Sequence, residues 1–169
     1  EAIKFARNNK IPFLGICYGM QMAIIEFARN QLNLRNATSS EFDKKGLPII
    51  GLINEWKKDG KTIKGTDKDL GGTMRLGSYD AKLKENSMIN KIYKKNLIKE
   101  RHRHRYEVNI AYKEKFEKNG MIFSGLSPDG ELPEIIELRN HPWFIGVQFH
   151  PEFKYRTLAP HPLLSSFIK

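Results

Sequence analysis

Three side chains have the types and surroundings needed for nucleophilic acyl chemistry: Cys17, His150 and Glu152. Cys17 is the only cysteine and sits in the run PFLGICYGMQ. Phe13, Leu14 and Ile16 predict a buried strand, while Met20, Ala23, Ile24, Phe27 and Ala28 recur at helical spacing, so the thiol falls at a strand-to-helix turn. Gly15 and Gly19 flank it, as a nucleophile elbow requires where the backbone turns sharply beneath a reactive side chain. The first amides of the helix predict a sulfur that favours thiolate. A lone cysteine reads more readily as a small buried hydrophobe. The segment FIGVQFHPEF shifts the balance by supplying a base and an orienter. His150 can take the thiol proton. Glu152, two residues on with Pro151 holding the chain extended, falls on the same side and can fix the imidazole.

These residues need elements to carry them. Glu1 to Asn8 predicts an amphipathic helix with Ile3, Phe5 and Ala6 inward, ahead of the strand ending at Ile16 and a helix from Tyr18 to Arg29. Pro48 to Trp56 predicts a short strand or helix, and the polar run Lys57 to Asp69 a surface loop. Thr73 to Leu83 predicts a strand with a glycine break, and Ser87 to Tyr93 a short helix capped by Ser87. Tyr112 to Asn119 predicts a helix stopped by Gly120. Strands follow at Met121 to Ser124, Glu134 to Arg139 and Trp143 to Phe149, then a helix from Pro162 to Ile168 packing through Leu163, Leu164, Phe167 and Ile168. If Arg101 to Arg105 is a strand, His102 and His104 share one face and the arginines the other. His141 and His161, each beside proline, read as exposed. Strands interleaved with helices predict an α/β class, with a mostly parallel central sheet flanked by helices and the site at the strands' carboxyl ends.

The chain has 169 residues, 40% hydrophobic and 28% charged, which fits one domain spanning 1–169. No apolar run approaches the roughly 20 residues of a membrane span, so no membrane partner is expected. A single cysteine cannot form an internal disulfide, and the first residues lack a signal core, which points to the cytoplasm. The formal charge of +10 is spread through the loops rather than gathered on a face, apart from Lys91 to Arg105, and no nucleic-acid partner is expected. Gly71 to Gly77 lacks the lysine and spacing of a phosphate loop. It reads as support for the site or as a contact for a partner domain.

GICYGMQ, VQFHPE and the order Cys, His, Glu resemble class I glutamine amidotransferases. SSEF at Ser39 to Phe42, GGTMRLG at Gly71 to Gly77 and ERHRHRYEVN at Glu100 to Asn109 are similar to the C-terminal glutaminase domain of the CTP synthase family in particular. The resemblance implies hydrolysis of L-glutamine through Cys17, His150 and Glu152, with ammonia passed to an ATP-dependent synthase domain that aminates UTP to CTP. It places Glu41 on the substrate ammonium and Arg105 on its carboxylate, with Arg103 in the same network, Gln21 positioning glutamine and the Tyr18 amide at the oxyanion. A forked guanidinium suits a carboxylate, and a carboxylate suits an ammonium.

By the same resemblance no cofactor or metal belongs to this domain. ATP and Mg, UTP and allosteric GTP go to the parent protein, a homo-tetramer whose N-terminal synthase domain lies in the same chain. A glycine-rich oxyanion loop is expected upstream of residue 1. The 169 residues are thus expected to be an N-terminally truncated fragment, weak or inactive alone. Alternatives on the same fold are another class I amidotransferase, a γ-glutamyl hydrolase or a non-catalytic regulatory module.

Overall fold

A computed structural model describes residues 1–52 and 74–169. The loop expected over Lys57 to Asp69, the end of the Pro48 to Trp56 element and the start of the Gly71 to Gly77 run lie outside the described residues. In chain order the elements are α1 (Ala2–Asn9), β1 (Phe13–Ile16), α2 (Tyr18–Gln31), β2 (Ala37–Ser39), β3 (Leu47–Leu52), β4 (Arg75–Leu83), α3 (Met88–Tyr93), β5 (Leu97–His104), β6 (Tyr106–Val108), α4 (Lys113–Lys118), β7 (Met121–Leu126), β8 (Pro133–Leu138), β9 (Phe144–Val147) and α5 (Pro162–Ile168). Most follow from local signals. Ser87 caps α3 by accepting from the Asn90 amide, and Gly120, at a φ of 101°, adopts the left-handed conformation that ends α4.

The described strands form a six-stranded sheet in the order β1-β9-β8-β7-β4-β5 and a three-stranded sheet β2-β3-β6. The α/β class and the flanking helices hold, whereas the main sheet is mixed rather than mostly parallel. Among the described strands of this sheet only β1 and β9 pair in parallel. The pairs β9/β8, β8/β7, β7/β4 and β4/β5 are antiparallel. The physical reason is the length of the connections. β7 to β8 and β8 to β9 are joined by short turns, which suit hairpins, and a parallel pair needs a crossover of a dozen or more residues.

Strand alternation divides the core between two faces. Ile136 and Phe144 pack with Met20, Ile24 and Phe27 of α2. Their neighbours Ile135 and Ile145 pack on the other face with Ile89 of α3 and Leu163 of α5. On α5 only Leu163 is buried, and Ile168 is 84% exposed, against the four-residue packing face expected. Phe5 of α1 is likewise exposed, while Ala6 is buried.

His141 and His161 are buried rather than exposed. Each has found a partner that its proline neighbour does not reveal. His141 Nε2 lies 3.1 Å from the Ala6 carbonyl. His161 Nε2 lies 3.1 Å from Oε1 of the buried Glu100, which also accepts from the Tyr93 hydroxyl at 3.1 Å.

Candidate active site

Cys17 stands where β1 hands over to α2. Ile16 is in register with Val147 of β9, and the Cys17 amide donates to the Val147 carbonyl at 2.7 Å. The cysteine has φ 51° and ψ −101°, neither helical nor extended. Such strain costs about 1–3 kcal/mol and persists only where the surroundings enforce it. Gly15 is part of that enforcement, because a Cβ there would lie 2.8 Å from the Gly19 carbonyl carbon and 2.9 Å from the Met20 nitrogen. Strand and first helical turn therefore touch backbone to backbone. Gly19 meets open space instead, so of the two flanking glycines only Gly15 is required by close approach.

His150 lies just beyond β9, the parallel neighbour of β1, so the pairing brings both residues to one end of the sheet. Its amide donates to the Arg101 carbonyl at 2.8 Å, tying it to β5 as well. Glu152 Oε1 sits 2.7 Å from His150 Nδ1. The means differ from the expected extended chain, since Pro151–Lys154 forms a 3-10 turn that brings the carboxylate back over the ring. Phe153 stacks on the imidazole with centroids 4.8 Å apart. With Nδ1–H donated to Glu152, Nε2 carries the lone pair. It is buried and has no hydrogen-bond partner among the described residues.

Cys17, Tyr18, Gln21, Glu41 and Arg105 line one cavity of about 260 Å3, together with Arg103, His104 and Tyr106. The sequence candidates for an amino-acid substrate thus meet around the thiol, although they come from α2, the turn after β2 and the β5–β6 junction. Phe42, next to Glu41, packs edge-on against Tyr18. Gln21 reaches the cavity as wall. Its amide donates to the Tyr106 carbonyl at 2.9 Å and to Gln148 Oε1 at 3.2 Å. Gln148, fully buried, turns its own Nε2 toward Cys17 Sγ at 3.6 Å. Sequence reasoning missed Gln148, whose only signal was a polar residue interrupting an apolar run, two positions before His150.

Burial pushes the Cys17 thiol up from its ordinary range. The Tyr18 amide and Gln148 work against this, while the carboxylates of Glu107 and Glu152 add to it. This reverses the expected thiolate preference, because one helix terminus does not offset desolvation. The resting sulfur is therefore a thiol and needs a base.

Behind the pocket Arg75 bonds Glu107 and Glu134 at 3.1 and 2.8 Å, and all three are buried. Burial, aided by Arg75, lowers His102 to about 2 and His104 to about 3. Burial raises Glu107 to about 8. Among the described residues no cluster of His, Cys, Asp or Glu is arranged to hold a metal, and no helix is long and apolar enough to cross a membrane.

The model of the glutamine amidotransferase class-I family matches residues 1–169. A CTP synthase of Pelagibacter ubique is 89% identical over the whole chain, and one of Zymomonas mobilis is 61% identical over 99% of it. The chain spans 31% of the length of each of these relatives. Among solved structures, the glutaminase domain of Trypanosoma brucei CTPS with bound acivicin superimposes with a TM-score of 0.85 at 35% identity, covering 99% of this chain and 62% of that one.

Proposed function

Because the chain belongs to the class-I glutamine amidotransferase family, we propose that it hydrolyses L-glutamine with Cys17 as nucleophile and supplies the ammonia for amination of UTP to CTP by the rest of a longer protein. One observation carries the reading: the strained thiol shares a cavity with Glu41 and Arg105, at the sheet end where the His150–Glu152 pair also stands. Identity to CTP synthases supports the choice of acceptor.

In this mechanism Arg105 holds the substrate carboxylate and Glu41 its ammonium, which delivers the side-chain amide to the sulfur. The thiol proton passes to His150 Nε2 as sulfur bonds the amide carbon. The Tyr18 amide donates to the oxyanion of the tetrahedral intermediate. Collapse breaks the C–N bond, and His150 returns the proton to the departing nitrogen, leaving ammonia and a glutamyl thioester. Water, deprotonated by the same imidazole, attacks the thioester. Glutamate leaves and the thiol is restored. Glu152 stabilises the imidazolium formed in each half.

The reading assigns no cofactor to these residues. ATP, Mg2+, UTP and allosteric GTP go with the remainder of the longer protein, whose cytoplasmic, homotetrameric state belongs to the same proposal. In the full-length protein, Cys17→Ala abolishes glutamine-dependent CTP formation and leaves ammonia-dependent formation intact. Loss of both activities would refute the division of labour.

A further inference from the structure

Five buried side chains close a ring behind the pocket. Arg75 joins Glu107 and Glu134 through Nη1 and Nη2. His102 Nδ1 lies 2.8 Å from His104 Nε2. His104 Nδ1 lies 3.2 Å from the Tyr106 carbonyl oxygen and 3.5 Å from Glu107 Oε1. His102 Nε2 lies 3.5 Å from Glu134 Oε2, which closes the circuit.

Counting protons gives the ring a direction. A carbonyl oxygen only accepts, so His104 Nδ1 carries its proton toward Tyr106. A neutral imidazole has one N–H, so His104 Nε2 is bare and His102 Nδ1 donates to it. His102 Nε2 is then bare too, and it faces Glu134 Oε2. Were Glu134 ionised, two lone pairs would meet where water is excluded, and Oε2 has no hydrogen-bond partner among the described residues. The missing proton does not come from a histidine, because an imidazolium would sit buried beside the Arg75 cation, and burial with that charge holds both rings neutral. A carboxyl is the natural carrier. Burial pushes Glu134 up, and Glu107 beside it to about 8.

We propose that Glu134 is a positioning residue of the glutaminase site, held as a neutral glutamic acid whose Oε2 proton faces His102 and sets the donor direction of both imidazoles toward the Tyr106 carbonyl, the acceptor they share with the amide line that ends at the Cys17 sulfur. His104 donates to the Tyr106 carbonyl, which also accepts from Gln21. Gln21 donates to Gln148 as well, and Gln148 donates to Sγ. Above about pH 8, where Glu107 ionises against Arg75, the ring is then neutral. Losing the proton sets the two lone pairs against each other, unhooks the imidazoles and adds a second carboxylate charge behind the thiol. The groups facing this proton are Arg75 on β4, His102 and His104 on β5, Glu107 on β6 and Asp129 between β7 and β8, with His150 and Cys17 at the far side.

The inference rests on Cys17 as nucleophile, and the test separates the two. Glutaminase kcat/KM and Cys17 alkylation by iodoacetamide are followed against pH in the full-length protein, wild type and Glu134→Gln. The glutamine amide is a permanent donor to His102, so activity at pH 7 stays within about 3-fold of wild type. The alkaline fall of kcat/KM moves to higher pH, and the alkaline rise of alkylation, freed of the second carboxylate charge, moves to lower pH. Glu134→Ala, with no donor, loses about 10-fold or more at pH 7. An unmoved alkaline limb in Glu134→Gln, or a loss equal to that of the alanine variant, overturns the proposal. Imidazole nitrogen shifts in the wild-type protein give an answer that needs no variant. Both rings are expected as neutral Nδ1–H tautomers at pH 7, and an Nε2–H on either would overturn it. If Cys17→Ala kept its glutaminase activity, the nucleophile reading alone would fall, and the tautomers would still report on Glu134.

Discussion

Replacing Gln148 by leucine keeps roughly the volume of a fully buried side chain while removing both of its hydrogen-bonding functions. Nε2 faces the Cys17 sulfur at 3.6 Å, and Oε1 accepts from Gln21 at 3.2 Å. The first of these works mainly on the thiolate that forms during attack. A hydrogen bond to a charged group is worth about 1.5–3 kcal/mol, so its loss slows reactions of the sulfur by roughly 10- to 150-fold. The second affects stability. Gln21 keeps the Tyr106 carbonyl but leaves one buried N–H without an acceptor, at a cost of about 1–3 kcal/mol. The assay is the second-order rate of Cys17 alkylation by iodoacetamide at pH 7, with urea unfolding on the same samples. Removing the amide drives the thiol further up, since Gln148 is one of the two groups that lower it. A folded variant that alkylates as fast as wild type, or faster, would show that the amide does not serve the sulfur.

Two further outcomes follow from other parts of the fold. Gly15→Ala forces β1 and the first turn of α2 apart, because the new Cβ meets backbone atoms at 2.8–2.9 Å. It should cost about 1–3 kcal/mol in urea unfolding, and a cost below about 0.5 kcal/mol would mean that the elbow yields freely. Stability should also peak between about pH 4.5 and 6.5. His102 and His104, depressed to about 2 and 3, contribute stability that is present above the unfolded value of about 6.5 and is lost as pH falls. Glu107, raised to about 8, contributes stability that is present below its unfolded value and is lost as pH rises through 8. Urea midpoints that climb steadily from pH 6.5 to 8.5 would contradict the second limb.

The site was legible where its chemistry is local. The apolar strand, the small residue at Gly15 and the helical spacing after Cys17 define an elbow whatever the rest of the chain does. The alternation of His102 and His104 with arginine likewise became the buried and exposed faces of β5. Placing Glu41 and Arg105 near the thiol required a resemblance, because each alone is an ordinary surface residue. What stayed hidden depends on partners distant in sequence. Gln148 gains its role from Cys17 and Gln21, and His161 is buried because Glu100 of β5 receives it. The thiol's preference was misjudged for a related reason. A helix terminus is visible in sequence, whereas the burial that outweighs it and the reach of Glu107 belong to the tertiary structure.

The parallel pairing of β1 with β9 has a consequence for the chain as it is made. Cys17 and Gln148 are separated by 131 positions, and the Cys17 amide takes its acceptor from Val147. Contacts this distant carry a large loop-closure cost and form late in folding. Until β9 has been synthesised and paired, the thiol has neither its strained backbone nor its amide donor and behaves as an ordinary cysteine. The assembled site is therefore completed last. It is also the first feature forfeited when β9 peels away, so loss of glutamine turnover should precede global unfolding.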